Sequence, residues 1–149
     1  MQAYLSTAVG CLASLVGSFP VLAGEPSEAV RPFYLQPGLE LEAAERDRFI
    51  DPARKILDQN DEIRLGGEEG CLDPALPFND SQFDPVVVAK TLTLREVAAG
   101  DEATVLATFM AAGDAQNVQW RLKNVDGAWK VFDIVSMDKD WALSRFQCE

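Results

Sequence analysis

The rhythm of apolar and polar positions changes midway along the chain. Up to about residue 66, apolar residues recur at steps of three and four: Val30, Phe33 and Tyr34, then Ala53, Ile56, Leu57 and Ile63. This spacing predicts helices with one buried stripe. Ser27 is placed to cap the first helix, Pro32 shortens or bends it, and Pro37-Gly38 stops it. A second helical stretch is expected from Glu40 to about Phe49, with Glu40, Glu42, Glu45 and Asp47 on a solvated acidic face. Asp51-Pro52 restarts a helix with Asp at the cap and Pro in the first position.

After Gly66-Gly67, the stretch from Glu68 to Pro85 is rich in Gly, Pro, Asp and Asn and reads as one long loop. From there the period becomes two. Strands are expected at Val86 to Val97, Ala103 to Met110, Val118 to Val125 and Ala128 to Val135. Asp126-Gly127 between the last two is the strongest hairpin signal in the chain. Trp141 to Phe146 reads as a closing helical turn. Helices followed by an antiparallel meander of about four strands define an α+β domain over residues 24–149, with a curved sheet wrapped on the N-terminal helices.

Simple alternation puts Val118, Trp120 and Leu122 on one face of the third strand. In the fourth strand it puts Trp129, Val131, Asp133 and Val135 on one face, and Lys130, Phe132 and Ile134 on the other. Both faces of the sheet are therefore partly apolar. One is expected under the helices, the other under a further element or a second chain, as in a homodimer through the sheet face.

Charge narrows the function classes. The chain carries 24 acids against 13 Lys and Arg, a net charge of −11, and no histidine. Binding to nucleic acid needs clustered cations and is not expected. Without histidine, Ser-His-Asp and Cys-His catalysis and imidazole-held zinc are excluded. Residues 1–23 hold no charged side chain. Leu5 to Phe19 is apolar or small, Pro20 breaks it, and Val21-Leu22-Ala23 suits a cleavage site. This segment reads as a secretory signal peptide, with periplasmic or secreted location and no membrane span after cleavage. A lipoprotein cut before Cys11 is the competing reading. Beyond residue 23 two cysteines remain, Cys71 and Cys148, and an even count in an exported chain suggests one disulfide. Closing a loop of about 78 residues is worth roughly 4.5 kcal/mol in the loop-entropy picture.

The string Gly127-Ala128-Trp129-Lys130-Val131-Phe132-Asp133-Ile134-Val135, followed by Leu143-Ser144-Arg145, resembles the closing hairpin and tail of an exported bacterial family, domain of unknown function 3828. Val30 with Phe33-Tyr34 is similar to that family's first helix, and Cys71-Leu72-Asp73-Pro74 with Pro77-Phe78 and Gln82 to its loop. The resemblance implies the cystatin-like, nuclear transport factor 2-like cone. That fold hosts isomerases, dehydratases, immunity proteins and non-catalytic binders, so it does not choose a function.

Asp133 is the candidate that separates the function classes. A carboxylate among Trp129 and Val131 suits a general base, and with Tyr34, Trp120 and Trp129 it would form a pocket in the cone. This is the isomerase- or dehydratase-like alternative. In the other reading Asp133 is structural, bonded to backbone amides or paired with Arg121, Arg95 or Arg145. Asp73, Asn79, Asp80 and Asp84 carry the oxygens that calcium favours, but their spacing matches no calcium loop, and neither metal nor cofactor is expected. The leading expectation is an exported, non-catalytic binding module for a protein or small-molecule partner, of the kind that includes immunity-type inhibitors of toxins.

Overall fold

The computed structural model describes residues 24–148, Pro74 excepted. The signal-peptide and Cys11 readings fall outside these residues. The domain is α+β. Helix α1 (Pro26–Leu35) leads through two 3-10 segments, Leu39–Leu41 and Ala43–Arg48, into α2 (Ala53–Leu65). A loop carrying the 3-10 turn Leu76–Phe78 follows, then a short helix α3 (Pro85–Thr91). The antiparallel meander β1 (Thr93–Ala99), β2 (Glu102–Ala111), β3 (Asp114–Val125) and β4 (Ala128–Ser136) completes the fold, in that spatial order.

The apolar rhythm has its expected consequence in α1, where Val30, Phe33 and Tyr34 are buried. The caps differ: Pro26 opens α1 after Glu25, and Ser27 lies inside it; α2 begins at Ala53, with Pro52 in the cap position and no cap bond from Asp51. The expected helix from Glu40 to Phe49 is instead two short 3-10 pieces. Between them the chain turns so that Arg46 points inward. It donates to the carbonyl of Glu40 at 3.2 Å and pairs with Asp58 at 3.1 Å and Asp61 at 2.5 Å. A buried guanidinium with three acceptors fixes that path more firmly than the weak helical periodicity of the segment.

The largest correction is α3. Its three valines suggested a strand, but Asp84 accepts a hydrogen bond from the Val86 amide at 2.8 Å and Pro85 takes the first helical position. An Asp cap followed by Pro outweighs a run of β-branched residues when only Val88 has to be buried, and Val86 and Val87 stay exposed. The sheet strands follow their alternation closely. Ala103, Val105, Ala107, Phe109 and Ala111 of β2 face the core, together with Val118, Trp120 and Leu122 of β3. The β3–β4 turn has Asp126 at φ 52° and Gly127 at φ 85°, the two positive φ values a two-residue hairpin turn needs.

The two sheet edges are treated differently. Along β4 the chain covers its own edge: the Ile50 amide bonds to the Val131 carbonyl at 2.9 Å, and the Ser136 amide to the Trp141 carbonyl at 3.0 Å. Phe49 and Ala142 add isolated bridges to Val131 and Val135. Along β1, among the described residues, no backbone partner covers the outer edge.

Candidate functional site

The four residues expected to line one pocket do not do so. Tyr34 and Trp120 are brought together, with the indole N–H donating to the phenol oxygen at 2.9 Å, but deep in a filled aromatic core. Phe33 stacks on Trp120 with ring centroids 4.8 Å apart, and Phe78 and Phe109 close on Tyr34 at 5.7 and 5.3 Å. Full burial pushes the Tyr34 phenol far above its ordinary value, so it stays protonated and acts as a neutral polar link inside the core. Trp129 lies half-buried beside an open cleft of about 300 Å3 shared with Glu45, Asp47 and Arg48, and its indole N–H bonds to the Gly24 carbonyl at 2.8 Å.

Asp133 lies on the opposite face of the sheet from the one alternation assigns. β3 and β4 slip register at a bulge: Arg121 pairs with Asp133 but Leu122 pairs with Val131, leaving Phe132 as the extra residue. One inserted residue reverses the face of everything after it. Val131 and Ile134 both face the core as a result, and Asp133 faces away from it, opposite Arg121.

Asp133 is nevertheless buried, because the C-terminal segment folds over it. Its Oδ1 accepts the amides of Ile134 at 3.0 Å and Ser144 at 2.9 Å, and its Oδ2 accepts the Ser144 hydroxyl at 2.8 Å. The Arg121 guanidinium stands at 3.7 Å. Of the three arginines considered as partners, the structure selects Arg121. A carboxylate with three donors and a cation around it has its lone pairs engaged, which suits a clasp and not a proton acceptor for a substrate.

The clasp is reinforced by the disulfide. Cys71 and Cys148 are joined, their Cα atoms 5.5 Å apart and 77 positions apart in sequence. The bond ties the C-terminal segment to the loop after α2. On either side lie two open clefts. One of about 520 Å3 includes Leu41, Arg64, Glu69, Cys71 and Asp73; the other, of about 590 Å3, includes Lys55, Gln59, Arg145 and Cys148.

Two of the loop acids considered for calcium, Asp73 and Asp84, bond to backbone amides. Asp73 accepts the Ala75 amide at 2.8 Å, and Asp84 caps α3. Asn79 is buried in a left-handed conformation and donates to Gln116 at 2.9 Å. Among the described residues no cluster of three ligand-type side chains could hold a metal ion.

Glu40 is the residue sequence reasoning missed. Assigned to an exposed acidic face, it is fully buried, and neither carboxylate oxygen has a hydrogen-bond partner. Burial, partly offset by its own backbone amide and reinforced by the Asp73 carboxylate, pushes Glu40 up to about 7 from an ordinary 4.5. The signal available was weak: Glu40 sits between Leu39 and Leu41, of which Leu39 is buried. Nearby, Asn60 accepts the Leu72 amide at 3.0 Å and packs against Gly70, where an added Cβ would lie 2.3 Å from its amide oxygen.

No protein-family model matches the chain, and no curated protein sequence matches it either. A search of solved structures finds a chain in the crystal structure of the type VI native effector–immunity complex Tae3–Tai3 from Ralstonia pickettii. The match has a TM-score of 0.51 at 18% identity and covers 78% of this chain and 97% of that one. At this identity the likeness is one of fold. The chain is thus similar in architecture to nearly the whole of one component of an effector–immunity pair.

Proposed function

We propose that the protein is an exported binding module of the immunity type, which holds and neutralises a protein effector. The observation that carries this reading is the fold match over 97% of a chain from an effector–immunity complex. Two features of the molecule support it. The interior between helices and sheet is packed with aromatic side chains, so the recognition surface is external. The carboxylate best placed by sequence for catalysis is engaged in a structural clasp.

Export belongs to the same proposal. Its supports are the uncharged apolar stretch of residues 1–23 and the disulfide, which suits an oxidising compartment. Among the described residues no helix is long and apolar enough to cross a membrane. We carry the likeness to domain of unknown function 3828, and the cone it implies, as part of this proposal.

The test is capture with the disulfide-bonded protein as bait, followed by binding between purified components. A 1:1 complex with one secreted hydrolase, and rescue of cells from that hydrolase by co-expression, is the expected result. A captured protein whose toxicity is unchanged by saturating amounts of this chain contradicts the immunity reading.

A further inference from the structure

The two edges of the sheet differ in a way that points to a partner. The β4 edge is covered twice by the chain itself, at Ile50 and at Trp141. The β1 edge is not covered by the chain itself, although Arg95 and Glu96 lie on the strand, Glu96 on the face toward α1. Among the described residues its outer backbone groups have no partner, β1 contains no proline, lysine or bulge, and Val97 near its middle is 74% exposed. An open strand edge of this kind is a template for another strand.

We infer that the occupant is a second copy of this chain, with β1 pairing antiparallel to β1 of the partner about a two-fold axis through Val97. Local charge disfavours two registers. An axis through Arg95 would set two guanidinium groups opposite each other, and one through Glu96 two carboxylates, and like charges directly opposite are destabilising. An axis through Val97 sets Val97 on the other copy's valine, Arg95 on its Ala99 and Glu96 on its Ala98. Within one chain Ala99 pairs with Glu102 on the same face. Arg95 of one copy, Ala99 of the other and Glu102 of that other copy then lie in one row across three strands.

Strands are spaced about 4.8 Å apart, so this Arg95 and Glu102 are separated by about two spacings with only a small alanine between them. An arginine and a glutamate together span that distance. Both residues are exposed and, among the described residues, neither has an ion-pair partner within its own chain. The two-fold axis supplies each with the other, twice. Glu96 is already engaged by the Ser27 amide at 2.7 Å and needs no new partner. The contact is a small one, under about 1,200 Å2, so the dimer is weak and concentration-dependent.

Sedimentation equilibrium of the purified protein at concentrations up to about 1 mM tests this. The expected result is a monomer–dimer equilibrium that Arg95→Glu alone and Glu102→Arg alone each weaken at least tenfold. The double variant Arg95→Glu/Glu102→Arg restores it, because the swapped charges meet again across the axis. Thermal melting of each variant confirms that the fold is kept, since both positions are exposed. A strict monomer over the whole range overturns the inference. So does a dimer indifferent to the single charge reversals, or a double variant that fails to recover.

Discussion

Two buried carboxylates define two regions of this molecule with opposite electrostatic characters. At the C-terminal clasp, Asp133 meets two amides, a hydroxyl and a guanidinium. At the N-terminal side, Glu40 is just as inaccessible, but its oxygens meet no donor and Asp73 lies nearby. Burial is common to both, so burial alone does not decide what a carboxylate contributes. What decides is whether donors are in place before the charge is desolvated. The clasp gains stability from the hydrogen bonds its carboxylate accepts, whereas the Glu40 site loses stability whenever Glu40 ionises.

The contrast can be broken or sharpened by substitution. The largest expected effect comes from removing the covalent part of the clasp. Cys148→Ser together with Cys71→Ser should lower the unfolding free energy by about 4 kcal/mol, from the entropy returned to the unfolded chain. Urea unfolding of the oxidised wild type against the double variant measures it. A loss under about 1 kcal/mol would mean that Asp133 and Ser144 hold the C-terminal segment alone.

Next comes Glu40. Its folded-state pKa lies above its unfolded one, about 7 against 4.5. The stability of the neutral form is therefore fully present below pH 4.5 and is lost as pH rises through 7. Over that window the wild type should lose about 3 kcal/mol, since each tenfold difference in proton affinity between folded and unfolded chain is worth about 1.4 kcal/mol. Glu40→Gln, which cannot ionise, should abolish that loss and melt higher than wild type at pH 8. A flat pH profile in the wild type would show that Glu40 finds donors in solution.

A smaller effect of opposite sign is expected at Asp133. Asp133→Asn replaces an acceptor-only group by one that must present N–H donors to a site already full of donors. It should cost about 1–3 kcal/mol at pH 7, read as a midpoint several degrees lower in a thermal melt. Smallest is Trp129→Phe, which removes the bond to the Gly24 carbonyl and some ring packing at a half-buried site. It should cost about 1 kcal/mol in denaturant unfolding.

These two regions also mark where the sequence could and could not be read. The strands from Ala103 onward were legible because their alternation is regular and Asp126-Gly127 fixes the turn. The fold class followed from that and from the Val30, Phe33, Tyr34 stripe. α3 was readable in principle, since Asp84-Pro85 is a helix start signal, but the valines after it concealed it; at Asp51-Pro52 the same pair does not cap, and α2 begins only at Ala53. The face of Asp133 was not readable, since nothing local announces that Phe132 is the bulged residue. Nor was the burial of Glu40, which depends on how Arg46 and the Cys71–Asp73 loop fold over it. Alternation and caps are local properties. A bulge and an uncompensated charge are settled by tertiary contacts that only the folded chain brings together.

The two carboxylates thus act in opposite directions, the clasp held by the hydrogen bonds Asp133 accepts and the Glu40 site weakened when Glu40 ionises. Equilibrium unfolding of wild type, Asp133→Asn and Glu40→Gln in urea at pH 8 tests this in one experiment. The predicted result is a lower unfolding free energy than wild type for Asp133→Asn and a higher one for Glu40→Gln. Shifts of the same sign in both variants, in either direction, would contradict it.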